Sequence, residues 1–392
     1  MKAWHFSENA YPYLPPAEEY ESIRVNLPNH HYDPAKGAAL YDRFLDEWCI
    51  AEDEGLDIML NEHHQTATCV DPAAPIVLGA LARLTKKARL LILGNPVANR
   101  RQPVRIAEEM ALLDILSKGR LECGFVRGVP FEVLPANSNP VRMNERQWEA
   151  MDLIVKAWTR HDGPFSHEGR FFHHRNVNIW PRPWQQPHPP VWVSSTSPGG
   201  ARRVGEHGYV QATFLTGYQN TGAVFDSYRA GWRAAGRGND VPINRLAYAA
   251  LVYTADNESD ARAGAEKLLW YMTGNKVPAH YRNPPGYLPP AVQAKMLRST
   301  AADPLGGNRG GPLTVEKVIE TGLMFAGTPD QVYAQFRKFY EHVGGFGHLL
   351  IMGQAGFLEH DETVRGIRSF ARHVYPRLQQ EFGDLTISGN GR

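Results

Sequence analysis

Cysteine is scarce in this chain. The three present, Cys49, Cys69 and Cys123, are widely spaced and form no C-x-x-C pair. That excludes a disulfide framework and is the usage of a reducing compartment. Excess charge is also missing. Forty-two Lys and Arg against 41 Asp and Glu leave a formal net charge of +1, which argues against a nucleic-acid surface or an anionic-membrane binder. No apolar run approaches membrane-spanning length, and the start Met1-Lys-Ala-Trp-His-Phe6 lacks the apolar core of a signal peptide, so a cytoplasmic location is expected. Nor is there a complete G-x-S-x-G, G-x-G-x-x-G or P-loop, which weakens serine-hydrolase, dinucleotide-fold and phosphoryl-transfer readings. What remains is ordinary for a soluble enzyme: 392 residues, 43% apolar and 21% charged. That length holds two average domains or one large α/β barrel with insertions.

The stretch Asp57-Ile-Met-Leu-Asn-Glu-His-His64 shows which. A short apolar run after a helical pattern ending at Glu54-Gly55 reads as a buried parallel strand, and its polar tip falls where α/β barrels build active sites. Seven more apolar runs resemble it: 2–7, 89–94, 121–126, 191–194, 209–214, 245–254 and 347–352. Helical patterns separate them over 36–54, from Asp71-Pro72, from Pro103 to Ser117, and over 142–160, 221–236, 258–272, 328–342 and 360–376. Asp71 reads as an N-cap with Pro72 at the first helical position. Eight strand–helix pairs predict a single TIM-type (β/α)8 barrel over 1–392. Two stretches interrupt the alternation. Residues 161–190, rich in His, Pro and aromatics, read as an inserted hairpin or loop, and 273–313, rich in Gly and Pro, as a lid.

In such a barrel four polar strand tips face one mouth: Asn61-Glu62-His63-His64, Asn95, Arg127-Gly128 and Ser195-Thr196-Ser197. Ser195, Thr196 and Ser197 open a helix, either as a plain cap or as a phosphate site. Arg127 either pairs with a carboxylate such as Glu109 or Glu122 or reaches a phosphate or ring carbonyl with its fork of donors. His63 and His64 are adjacent, so they project to opposite sides and one pocket does not use both equally. A lone histidine in that position is more often a hydrogen-bonded core residue than a catalytic one. The pair has no H-x-H or H-E-x-x-H spacing for a metal. A phosphate-bearing cofactor at the mouth is the simplest joint reading.

Several segments together resemble the bacterial luciferase-like flavin monooxygenases: Leu60–His64, Leu90–Val97, Pro103–Met110, Leu112–Leu121, Gly124–Gly128, Ser195–Gly199 and Gly327–Asp330. The resemblance implies a TIM-type barrel that binds reduced FMN at its carboxyl mouth, usually as a homodimer. By it His63 matches the catalytic histidine, with Glu62 and His64 as neighbours shaping the site. Gly94-Asn95 falls at an unusual non-prolyl cis peptide under the isoalloxazine, with Asn95 touching the ring. Arg127 matches a flavin-binding arginine, and Thr196 and Ser197 match phosphate contacts. Asn61 and Thr196 depart from the luciferase pattern, which argues against an aldehyde substrate of the luciferase kind.

The expected function is a two-component FMN-dependent monooxygenase. It uses reduced flavin and O2 to oxygenate a small organic substrate through a C4a-peroxyflavin. With no nicotinamide fingerprint in the chain, a separate NAD(P)H:flavin reductase is the expected partner. The rival on the same barrel is a deazaflavin-dependent dehydrogenase or reductase. A metal-dependent or carboxylate-pair hydrolase needs a second well-placed carboxylate besides Glu62, and a flavin-storing protein has no use for His63 and a lid.

Overall fold

The computed structural model describes residues 1–274, 277–298 and 313–383. Among these residues eleven strands run in chain order: β1 (Lys2–Ser7), β2 (Asp57–Leu60), β3 (Leu90–Pro96), β4 (Leu121–Val126), β5 (Phe165–Glu168), β6 (His173–Val177), β7 (Val191–Ser194), β8 (Val210–Phe214), β9 (Leu246–Thr254), β10 (Met324–Gly327) and β11 (His348–Gln354). Eight of them close a parallel barrel in the order β1-β2-β3-β4-β7-β8-β9-β11. The ring is sealed by β11 against β1 (Ala3 opposite Leu349) and against β9 (Leu350 opposite Ala249). Helices fill the crossovers, as parallel pairing requires.

Period-two alternation divides the apolar residues into two layers. Trp4, Phe6, Met59, Leu91, Trp192, Ala212, Ala249 and Leu350 fill the barrel. Ala3, Ile58, Leu60, Ile92, Phe125 and Leu349 face the surrounding helices. Trp4 and Trp192 meet edge to face at 5.5 Å, and the small Ala247 and Ala249 of β9 leave room for them. Toward the strands' amino ends the Trp4 indole donates to His348 Nδ1 at 3.2 Å, while Trp192 donates to Glu122, which also pairs with Arg89.

Two details differ from the sequence reading, and the 161–190 insertion is the expected hairpin. The second helix starts at Ala74 and has no side-chain cap. Asp71 instead lies buried in the connection, which is held by backbone bonds from His63 N to Asp71 O and from Val70 N to Asn9 O. A ninth parallel strand, β10, lies between the 273–313 excursion and the helix from 328, where the sequence pattern assigned no element; it pairs with the far half of β9, Leu251–Thr254, beyond the point where β8 stops opposite Ala249. The 161–190 insertion contains the antiparallel hairpin β5–β6. Its turn is fastened by Glu149, which accepts from the N–H groups of Arg170, Phe171 and Phe172 at 2.9–3.1 Å. Among the described residues no helix is long and apolar enough to cross a membrane.

Candidate active site

A cavity of about 1760 Å³ opens at the carboxyl ends of the barrel strands. Strand parity explains which side chains reach it. On β2 Met59 points inward, so Asn61 and His63 share its side while Glu62 and His64 turn toward the helices. Asn61 and His63 line the cavity, Glu62 reaches its edge, and His64 is not part of the lining. The adjacent histidines are thus separated, as their spacing requires.

Each has its own carboxylate. His63 Nδ1 lies 2.8 Å from Glu132 Oε1. The His64 ring lies 3.1 Å from Glu62 Oε1, and Arg100 donates to both Glu62 oxygens at 3.1 and 3.2 Å. The hydrogen bond to Glu62 holds the His64 pKa above its ordinary value, against burial. Burial alone would push the Glu132 carboxyl up, but the His63 ring and the His64 N–H outweigh it and hold the pKa below the usual carboxylate range. Close to this network, Asp71 is pushed up to about 7, first by burial and then by the Glu62 charge.

The β3 tip departs from expectation. The non-prolyl cis bond is Leu93–Gly94, one residue earlier than the Gly94-Asn95 position. Leu93 and Gly94 line the cavity, and Asn95 does not. Between Ile92 and Asn95 the register against β4 slips by one residue, which moves every later side chain to the opposite face. The Asn95 amide therefore faces outward, donating to Gly124 O at 3.2 Å and lying 3.7 Å from Met110 Sδ. Its side chain therefore does not reach the cavity.

Opposite the histidine wall stand the anion-binding candidates. Ser195, Thr196 and Ser197 all line the cavity. Ser197 caps the helix Pro198–His207 by accepting from Gly200 N at 3.2 Å, so the cap reading holds and leaves Thr196 exposed beside it. Arg127 pairs with neither Glu109 nor Glu122, which are engaged by Arg100 and Arg105 and by Arg89 respectively. Its guanidinium lies over the Tyr287 ring at 3.9 Å. Tyr287 belongs to the 273–313 excursion and donates to Gly128 O at 2.7 Å. The excursion's described part thus forms one wall of the cavity; residues 275–276 and 299–312 fall outside the described residues.

Sequence reasoning missed four residues here: Glu132, Arg100, Tyr287 and Arg203. Arg203, midway along the helix Pro198–His207, lines the cavity and stacks on Trp148 at 4.3 Å; nothing in the local sequence sets it apart from Arg202. The far wall beyond His63 is aromatic, with Phe131 6.2 Å from the His63 ring and Arg24 4.7 Å from Phe131. None of the residues of the 161–190 insertion lines the cavity.

Residues 23–345 match the luciferase-like monooxygenase family. The chain is 28% identical over 235 residues to the oxygenase component of the flavin-dependent trigonelline monooxygenase of Acinetobacter baylyi; the match spans 58% of this chain and 63% of that protein. In fold it is similar to the oxygenating constituent of 3,6-diketocamphane monooxygenase from Pseudomonas putida, solved in complex with FMN (TM-score 0.71, 19% identity, 96% and 98% of the two chains). It is also similar to an F420-dependent secondary alcohol dehydrogenase (TM-score 0.66, 18% identity, 96% and 99%). At those identities the two structures speak for the fold alone.

Proposed function

This chain belongs to the luciferase-like monooxygenase family, and from that premise we propose that it is the oxygenase component of a two-component, FMN-dependent monooxygenase acting on a small organic substrate. The observation that carries the reading is the convergence, at one barrel mouth, of an anion-binding wall with a wall bearing a carboxylate-linked histidine.

The residues fit FMN. Arg127 and Arg203 supply positive charge, Ser195, Thr196 and Ser197 supply hydroxyls, and Gly199 at the helix start supplies a backbone N–H, a donor set suited to a terminal phosphate. Leu93, Gly94 and Val126 form an apolar floor suited to a flat ring. When bound, reduced flavin supplies the electrons that activate oxygen. The chain's own residues do the rest. Phe6, Phe131 and Phe214 keep water from the reacting face. Tyr287, seated on Arg127 and tied to Gly128, holds the excursion over the rim. His63 moves a proton at its cavity side. Glu62, bonded both to His64 and to Arg100, braces the strand tip that carries His63.

Reducing equivalents come from a separate NAD(P)H:flavin reductase, in line with the name of the Acinetobacter relative as an oxygenase component. A second copy of the chain pairs through helices 74–84 and 103–116, whose outward faces expose Ile76, Leu84, Leu112 and Leu116. Exposed leucines concentrated on two adjacent helices mark an interface. The test is anaerobic titration with reduced FMN and, separately, with a reduced deazaflavin. We expect tight binding of reduced FMN and oxygen uptake coupled to product with a substrate of the trigonelline type among those tried. Preference for the deazaflavin moves the assignment to hydride transfer; indifference to both sinks it.

A further inference from the structure

Glu132 has a role that the strand-tip motifs do not announce. It ends the single helical turn Pro130–Glu132, its residue is 2% exposed, and one oxygen receives both the His63 ring at 2.8 Å and the His64 backbone N–H at 3.1 Å. An ionised carboxylate can only accept hydrogen bonds. The ring nitrogen facing it must therefore carry the proton. The other nitrogen, Nε2, has no protein partner among the described residues, and the ring lines the cavity.

We propose that Glu132 is a positioning residue that holds His63 with its proton on Nδ1 and presents the lone pair of Nε2 to the cavity, making His63 the proton acceptor for a substrate bearing an acidic O–H or N–H. In that step the X–H bond breaks, its proton passes to Nε2, and the electron pair stays on the substrate. No redox change occurs in the transfer. Glu132 balances the imidazolium so formed, the same logic by which a buried carboxylate orients a catalytic histidine elsewhere. The inference rests on the proposed reading of the mouth as a monooxygenase site. Other charged groups facing His63 are His64 and Glu62 on its own segment, Arg100 against Glu62, Asp71, whose carbonyl accepts the His63 N–H, and Arg24 across Phe131.

The test needs neither flavin nor substrate. The protein is labelled with 15N-histidine, the His63 signals are assigned by loss in His63→Gln, and the protonation of each ring nitrogen of the neutral imidazole is read from its 15N shift. We expect the Nδ1–H tautomer in the native protein. In Glu132→Gln, checked for folding by near-ultraviolet circular dichroism, we expect mixed tautomers, because the acceptor that fixed the proton has lost its charge. An Nε2–H tautomer in the native chain overturns the proposal without any variant. An unmixed Nδ1–H tautomer in folded Glu132→Gln overturns it as well. Failure of reduced FMN to bind, with the Nδ1–H tautomer present, counts against the functional reading and leaves the dyad standing.

Discussion

Replacing Gly124 by alanine tests whether the cavity floor is held by close backbone packing. A Cβ on Gly124 would stand 2.4 Å from Ile92 O, 2.5 Å from Leu93 Cδ1 and 2.9 Å from Leu93 Cα. Two of these three atoms are backbone and cannot rotate away. Carbon contacts settle near 3.5–4.0 Å, so β3 must yield by roughly 1 Å. Overpacking of that kind costs about 1–3 kcal/mol, and the backbone obstruction puts Gly124→Ala at the upper end. Unfolding entropy of about 2.1 cal/mol/K per residue over a chain this long gives roughly 0.8 kcal/mol per degree, so the melting point falls by only about 4 °C. The stronger readouts are binding and turnover. Leu93 lines the cavity; its displacement weakens reduced FMN binding, and a shift of about 1 Å in positioning costs on the order of a hundredfold in the rate of coupled oxygen uptake. Anaerobic titration with reduced FMN alongside scanning fluorimetry makes the measurement. Gly79→Ala is the control: its nearest atom is Leu113 Cδ2 at 3.8 Å, so this helical alanine stabilises by about 0.5–1 kcal/mol. Native affinity and native melting in Gly124→Ala would refute the packing argument.

Arg203→Ala removes a charge-assisted contact worth about 1.5–3 kcal/mol, so FMN affinity drops by roughly tenfold to a hundredfold. Riboflavin, which lacks the phosphate, binds as before, and equal losses for both would show that Arg203 does not meet the phosphate. Asp71 holds its proton more tightly when folded, at about 7, than at the ordinary 3.8. The native state therefore carries the extra proton, and stability falls as pH rises through that window. Asp71→Asn abolishes the fall and, measured by urea unfolding at pH 8, adds about 2–4 kcal/mol; a pH profile as steep as the native one would count against the buried, protonated carboxyl. Leu112→Glu with Leu116→Glu places like charges on the exposed faces of one helix, and light scattering should then report half the native mass. An unaltered mass moves the interface elsewhere.

Much of this fold was legible because buried parallel strands are nearly continuous apolar runs, and eight of them were readable as such. Met324–Gly327 escaped because four residues ending in glycine look like a turn, and only the unpaired far half of β9 reveals the need for a partner. Alternation separated His63 from His64, and the family resemblance chose between them; counting from the inward Met59 puts His63 on the cavity side. Asn95 was misassigned for the complementary reason: one extra residue in β3 inverts the alternation, and no local residue type announces such a slip. Glu132 lies 69 positions from His63 in the chain; the pairing exists only once β2 and β4 are neighbours through β3. Asp71 looked like a helix cap because Asp-Pro is a good one, yet the backbone bond from His63 holds that segment in the connection instead.

The ninth strand has a consequence for how such an enzyme could change its diet. The chain leaves the barrel at Thr254 and comes back along β10 to the same strand, with Gly327 beside Thr254 and Ala255 N bonded to Gly327 O. Departure and return are clamped to one rail, so the polymer strung between them adds little closure entropy when it lengthens, about 0.6 kcal/mol per doubling. The stretch that bears Tyr271, Tyr287 and Leu288 is in effect a cassette. It can be traded for another of different length and chemistry while the staves of the barrel, and the histidine they aim, stay where they are.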